Sequence, residues 1–325
     1  METMKRHAMQ TLFLAIALTM TMHLLLAEAG PVIRIGILAF SEESRYSDAT
    51  RGVIDQLKME GFVEPGVVFI KENAGANKAK AGELIKQFAA AKLDLIVTQG
   101  TSATVPIARE IKDVPIVFSV VYDPVEAGIA KDWMSSGNNT TGATTKIPMS
   151  NLLDRLKAFA PVNYLAVLYS PGEKNSEAQL RDLQKLQAMY RIKVIPVPIT
   201  EKEEFRHLLP EVVRTSDAIY VTGSNLVDSQ LSMIVEMATK GKVITITHLE
   251  DLVEKGVLLG VCTNPYNLGR LAGEKAARIL RGAKPSSIPI ETLKEFDVIL
   301  NMRTAKAGGF RIPPEYIKTV KRKIE

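Results

Sequence analysis

Val32-Ile33-Arg34-Ile35-Gly36-Ile37-Leu38-Ala39-Phe40 is an apolar run with one charge, and it ends in the polar step Ser41-Glu42-Glu43-Ser44. A strand exposed on one face alternates apolar and polar residues. A strand covered on both faces reads as nearly continuous Val, Ile and Leu. This stretch is of the second kind, so it predicts a parallel sheet with helices on either side. Similar runs recur at 67–71, 94–98, 115–121, 164–169, 192–198, 218–222, 242–247 and 257–262. Between them lie helical spacings: Val53, Ile54 and Leu57; Leu183, Leu186 and Tyr190; Val227, Leu231, Ile234, Val235 and Ala238. Leu268, Leu271, Ala272, Ala276, Ile279 and Leu280 give the clearest stripe at 3.6-residue spacing. Strand and helix therefore alternate, the pattern of an α/β protein. The alternation breaks once, at 134–149, where Gly137-Asn138-Asn139-Thr140-Thr141-Gly142 predicts a turn and a short strand. A first crossing between two sheets of about five strands each is expected there.

The chain begins differently. Met4-Lys5-Arg6-His7 is a basic head, the stretch from Thr11 to Leu26 carries no formal charge, and Ala27-Glu28-Ala29-Gly30 supplies an A-x-A step. These are the parts of a secretory signal peptide, residues 1–29, cut after Ala29. An uncleaved membrane anchor is the alternative, since the apolar run is nearly long enough to span. The expected localisation is periplasmic or otherwise extracytoplasmic. Cys262 is the single cysteine, so no disulfide can form within one chain, and a chain of this length can rely on its core. The formal net charge of +5 is spread along the chain apart from Lys318, Lys321, Arg322 and Lys323. That basic tail reads as a solvated helix end, and no nucleic-acid role is expected.

Past residue 30 there are two histidines, His207 and His248. A zinc site is not expected from two histidines and one cysteine. Phosphate-loop, dinucleotide-binding, H-E-x-x-H and G-x-S-x-G motifs are all missing. No enzyme, no metal and no cofactor is expected. In open parallel sheets, ligands bind beyond the carboxyl ends of the strands, so the residues after each run are the candidates. They are Ser41 and Ser44; Thr101 and Ser102; Tyr122 and Asp123; Glu173, Asn175 and Ser176; Ser224 and Asn225; Glu250; and Asn264. Thr101 or Ser102, Ser176 and Asn264 can equally serve as helix caps. The Gly100-Thr101-Ser102 step suits a carboxylate or phosphate, because a helix start offers free N–H groups. Asp123, Glu173 and Glu250 can meet an ammonium group, and Tyr122 and Tyr266 can form an aromatic wall.

Several pieces together resemble a known family. Gly100-Thr101, Asp123-Pro124-Val125-Glu126-Ala127-Gly128, Asn139-Thr140-Thr141-Gly142 and Asn267-Leu268-Gly269-Arg270-Leu271-Ala272-Gly273 are followed by Phe296-Asp297-Val298-Ile299-Leu300-Asn301 and Thr304-Ala305-Lys306-Ala307-Gly308. In this order they are similar to the ABC-transporter substrate-binding family with the type I periplasmic binding protein fold. The resemblance implies two doubly wound parallel-sheet lobes joined by three hinge crossings. Lobe one would be 31–145 plus 257–288, and lobe two 146–256 plus 289–325. It implies an exported monomer that binds a small polar solute, possibly an amino acid or another small carboxylate, and passes it to an ABC permease in the membrane. A ligand-sensing subunit that feeds a receptor or kinase is the alternative. The resemblance also implies an acid where this chain has Gly223-Ser224-Asn225. Here Asp123 or Glu250 would take that part, or the ligand lacks an amine.

Overall fold

The computed structural model describes residues 32–325; the expected signal peptide lies outside the described residues. The first lobe contains β1 (Ile33–Ala39), α1 (Ser44–Met59), β2 (Val67–Asn73), α2 (Lys78–Ala90), β3 (Leu95–Gln99), α3 (Thr101–Glu110), β4 (Ile116–Val121) and β5 (Thr140–Thr144). The second contains α4 (Met149–Phe159), β6 (Tyr164–Tyr169), α5 (Lys174–Tyr190), β7 (Lys193–Pro198), α6 (Glu204–Thr215), β8 (Ala218–Val221), α7 (Asn225–Asp228), α8 (Leu231–Lys240), β9 (Ile244–Thr247), α9 (Glu250–Glu254) and β10 (Leu259–Cys262). The chain then returns to the first lobe for α10 (Pro265–Leu280) and β11 (Glu291–Thr292). It crosses again for β12 (Asp297–Asn301), α11 (Met302–Gly308), α12 (Pro314–Ile317) and β13 (Arg322–Ile324).

The six-stranded sheet has the order β11-β5-β4-β3-β1-β2, and every pair in it is parallel. The seven-stranded sheet has the order β13-β12-β10-β9-β8-β6-β7. Its β12 runs antiparallel to β10 and parallel to β13, so the last two strands reverse the direction of an otherwise parallel sheet. Three crossings follow, near 145–148, 263–264 and 293–296. The expected return to lobe one at 257 is corrected by this pairing. Leu259–Cys262 hydrogen-bonds to β9 and β12, and Glu291–Thr292 still belongs to the first sheet beside β5. The basic tail is corrected as well: Arg322–Ile324 is an edge strand, not a helix end.

Each sheet has a core on both faces, which explains the continuous apolar runs. In the first lobe, one core holds Ile35, Val97 and Val117 with residues of α1 and α10; the other holds Leu38, Ile96 and Phe118 with α2 and α3. In the second lobe, α4 and α5 cover one face and α6 and α8 the other. The α1–α10 contact is the tightest helix pair. A Cβ on Gly52 would strike the backbone carbonyl of Tyr266, and one on Gly269 would strike that of Ala49. Backbone cannot yield as a side-chain tip can. Gly269→Val is expected to lower stability by about 3 kcal/mol in urea unfolding. Gly82→Ala, in α2 with open space around it, is expected to raise it by about 0.5–1 kcal/mol. Equal effects would refute this account of the α1–α10 contact.

Candidate functional site in the interlobe cleft

The strand tips of the two sheets face each other across the crossings. A small cavity of about 20 Å³ lies between them, lined by Thr101, Ser102, Tyr122 and Thr145 near the first sheet, and by Asn175, Gln179, Asn225 and His248 from the second lobe. Beside it a wider groove of about 920 Å³ opens to solvent, again bordered by both lobes, with Thr101, Glu173, Asn175 and Asn225 on its walls. The inner cavity falls far below the roughly 300–1,000 Å³ of ordinary ligand pockets.

At the floor on the lobe-one side stands the start of α3. Its N-cap is Gly100, with φ 85°, a left-handed backbone that glycine adopts freely. Gly100 offers no side-chain acceptor, so nothing on the cap residue occupies the first N–H groups of α3. Thr101 and Ser102 are thus the first turn of the helix and not its cap. The Ser102 hydroxyl accepts from Asn225 Nδ2 at 3.1 Å, a direct bond from lobe to lobe. The Oδ1 atom of Asn225 is buried without a partner among the described residues. Nearby Val120, a β-branched residue, is held at φ 57° where β4 slips register against β5, and it too borders the cavity. Such strain costs on the order of 1–3 kcal/mol and gathers at functional sites.

Two ion clusters clasp the lobes together. On one flank Arg45 of α1, 2% exposed, reaches Asp251 of α9 at 2.5 Å and Asp228 of α7 at 3.2 Å. Burial works against the Arg45 charge, but Asp251, Tyr46, Asp228 and Glu43 outweigh it and hold its pKa above the usual value. Burial raises the Asp251 carboxyl above its ordinary range, against the pull of Arg45. On the other flank Lys146 bonds Asp123 at 2.5 Å and Asp182 at 2.9 Å, and Tyr122 donates to Asp182 at 3.0 Å. Burial pushes the Asp182 carboxyl up, but Lys146, Lys185 and Tyr122 leave it below its usual value. At the back of the cavity His248 is 1% exposed, and its Nδ1 lies 2.7 Å from the Tyr220 hydroxyl. Burial, with Arg45 adding to it, pushes the His248 pKa down to about 3.

The structure gathers some of the sequence candidates and disperses the rest. Thr101, Ser102, Tyr122, Asn175 and Asn225 border the inner cavity. Glu173 borders the outer groove, and its carboxylate accepts from the Ser224 hydroxyl, from Asn225 and from the Leu226 N–H. Ser224 is buried and caps α7 through Val227 N–H. Ser176 is buried against Ser170, and Asn264 caps α10. Ser41 borders a separate lobe-one groove of about 610 Å³, Ser44 is exposed at the start of α1, and Tyr266 donates to Asp55. The acids expected to meet an ammonium group are corrected in turn. Asp123 is taken by Lys146 and by the Val125 and Glu126 N–H groups, Glu250 by Arg322 and Asn264, and neither borders the cavity. Arg45, Tyr46, Gln179 and Thr145 were missed. The first three sit inside helices, where the rule about strand ends does not look. His248 follows a strand directly and was open to that rule.

Two lobes of this topology, with their strand tips facing one cleft, define the type I periplasmic binding protein fold. Residues 34–323 match the family described as ABC transporter substrate binding protein, and the chain belongs to that family. It is a solute-binding protein of the ABC transporter class. It is similar to a tyrosine-binding protein of Clostridioides difficile, 28% identical over 290 residues, which are 88% of this chain and 84% of that protein. Among solved structures, an ABC domain from Streptococcus pneumonia in complex with L-Trp shares 26% identity, with a TM-score of 0.85 over 90% of this chain and 100% of that one. The ligand-free, open structure of a substrate binding protein with adhesive properties from Clostridium difficile shares 29% identity, with a TM-score of 0.72 over 90% and 100%. The lower score goes with the higher identity.

Two outcomes follow from the clasps. Arg45→Met removes the lobe-one cation and leaves Asp228 and Asp251 only Lys255 of their own lobe, so the clasp is lost and the lobes part. A larger radius of gyration in small-angle scattering is expected, and an unchanged one would sink the claim. Asp182 has a lowered folded pKa, so its contribution is present above its unfolded value and is lost as pH falls through the folded one. Lys146, whose pKa is raised by Asp123 and Asp182 against burial, holds its share until pH climbs past its folded value. His248, whose folded pKa is pushed down to about 3, takes up its proton more readily in the unfolded chain. Stability should therefore begin to fall below roughly pH 6.5, and fall further below roughly pH 4 as Asp182 protonates. In Lys146→Met that acid-side fall should be shallower in pH-dependent unfolding.

Proposed function

We propose that the chain is the exported binding component of an ABC importer, holding a small carboxylate-bearing solute between its lobes. An amino acid or a near analogue fits. The observation that carries this reading is the uncapped start of α3, aimed at a cavity that both lobes complete. Free N–H groups at a helix start, with two hydroxyls beside them, match a carboxylate. The relatives' named ligands, tyrosine and L-Trp, carry that group. Across the cleft, Asn225 Oδ1 is a neutral acceptor for the other polar end of the solute. Tyr122 supplies a ring and Asn175 a further polar contact. Closing the cleft around the solute completes the lobe-to-lobe bonds, so the solute shifts the population toward the closed form, which the permease would read. Export rests on the basic head, apolar run and A-x-A step of residues 1–29.

Thermal shift with L-tyrosine, L-tryptophan and other small carboxylates tests the reading. A true ligand at a hundredfold excess over its Kd should stabilise the protein by roughly 2.7 kcal/mol. Ser102→Ala is expected to weaken that ligand by about tenfold, the loss of one hydrogen bond to a charged group, while the ligand-free melting temperature stays within a few degrees. Equal losses of affinity and stability would make Ser102 a structural residue and overturn its place in the site.

A further inference from the structure

We propose that His248 is a ligand-facing donor: a neutral imidazole, oriented by Tyr220 with its proton on Nε2, that offers this N–H to a carboxylate oxygen of the solute. The inference rests on the cleft being the binding site and adds one residue and one chemical demand to it. The argument begins with the Tyr220 hydroxyl, which has a single proton to give. Two acceptors lie within reach, His248 Nδ1 at 2.7 Å and Gln179 Oε1 at 3.3 Å. Gln179 Oε1 already receives the Gly223 N–H at 3.0 Å. We assign the proton to the shorter contact, which makes Nδ1 the acceptor and puts the ring hydrogen on Nε2. The opposite tautomer, with Nδ1–H donating to Tyr220 and Tyr220 to Gln179, is the outcome that overturns the assignment.

The ring is also fixed in its plane. Tyr220 lies nearly parallel to it, with centroids 6.2 Å apart and planes 19° apart, and Tyr122 meets it edge-on at 5.2 Å. Among the described residues no atom of the chain is bonded to Nε2, and the ring borders the inner cavity. The same cavity is bordered by Thr101 and Ser102. At about 20 Å³ it is a single small space, so the α3 start and His248 face the same volume.

The groups that face the ring explain why it stays uncharged. Arg45 of α1 is the charged neighbour on the lobe-one side, and Tyr122 at the end of β4 and Tyr220 of β8 are phenols whose burial raises their pKa well above the usual value. Among the described residues no carboxylate bonds the imidazole. Burial and Arg45 push its pKa down to about 3, so it is neutral near pH 7. Its Nε2–H donates to a carboxylate or carbonyl oxygen and offers no acceptor to an ammonium group. The solute is therefore oriented with its acid end toward His248 and α3.

Long-range proton–nitrogen NMR on the histidine-labelled full chain reads the tautomer directly, with His248→Gln assigning the signal. A neutral ring protonated on Nε2 from pH 5 to 8 is expected; a charged ring, or a proton on Nδ1, overturns the proposal. Calorimetry with L-tyrosine then reads the role. His248→Phe should lose at least about tenfold in affinity, while His248→Gln, whose amide N–H can stand in for Nε2–H, should stay within about threefold of wild type. Tyr220→Phe frees the tautomer and should fall between them, with its unfolding curve intact. Equal losses in the Phe and Gln variants, or none in the Phe variant, overturn the proposal. If L-tyrosine leaves the wild type unmoved and another small carboxylate stabilises it, the ligand choice falls and the same variants are read with that carboxylate. If no carboxylate binds, the ligand-facing role of His248 falls with it.

Discussion

A guanidinium taken out of water between two lobes sets the geometry on which the cleft depends. Arg45 belongs to the first lobe and both of its closest carboxylates, Asp228 and Asp251, to the second. Removing three charged groups from water costs several kcal/mol each, and their attraction roughly returns that cost. The pairing therefore adds little net stability to the closed form. Its effect is on placement, since only one lobe arrangement satisfies all three groups. In the proposed binding cycle an opened cleft lets each of them hydrate again, and a solute need supply only a small difference in binding energy to favour the closed form.

The flank built on Lys146 works in the same way at the crossing. Asp123 caps the turn that follows β4 and pairs with Lys146 just after β5, while Asp182 arrives from α5 of the other lobe. Asp123 and Asp182 are thus spent on joining the halves. What faces the cavity is mostly neutral: hydroxyls, side-chain amides, a backbone helix start and an imidazole held uncharged. Neutral groups cost less to take out of water than charges do.

The resemblance and the physical reading meet at Gly223-Ser224-Asn225. The loop contains no acid, its serine caps α7, and its asparagine bonds Ser102 across the cleft. Glu173 stands behind the loop and supports it through four contacts to Ser224, Asn225 and Leu226.

Much of the fold could be read directly from the chain. Runs such as 32–40 and 94–98 are apolar at successive positions, which local sequence expresses only when both faces of a sheet are covered. The stripe from Leu268 to Leu280 fixed α10 for a similar reason. Strand-end positions also pointed to Thr101, Ser102, Tyr122, Asn175 and Asn225, because side chains at a strand tip must project into whatever lies beyond it. The tertiary structure alone decided the rest. Arg322–Ile324 became a strand because the edge of β12 was free to pair, a fact no property of those three residues records. Asp123 and Glu250 looked like ligand groups until Lys146 and Arg322, distant in sequence, arrived beside them. Arg45 looked like one more helix charge until a second lobe closed over it. Local sequence determines which faces are apolar; which charges meet depends on how the two lobes dock, and that is settled between residues about two hundred positions apart.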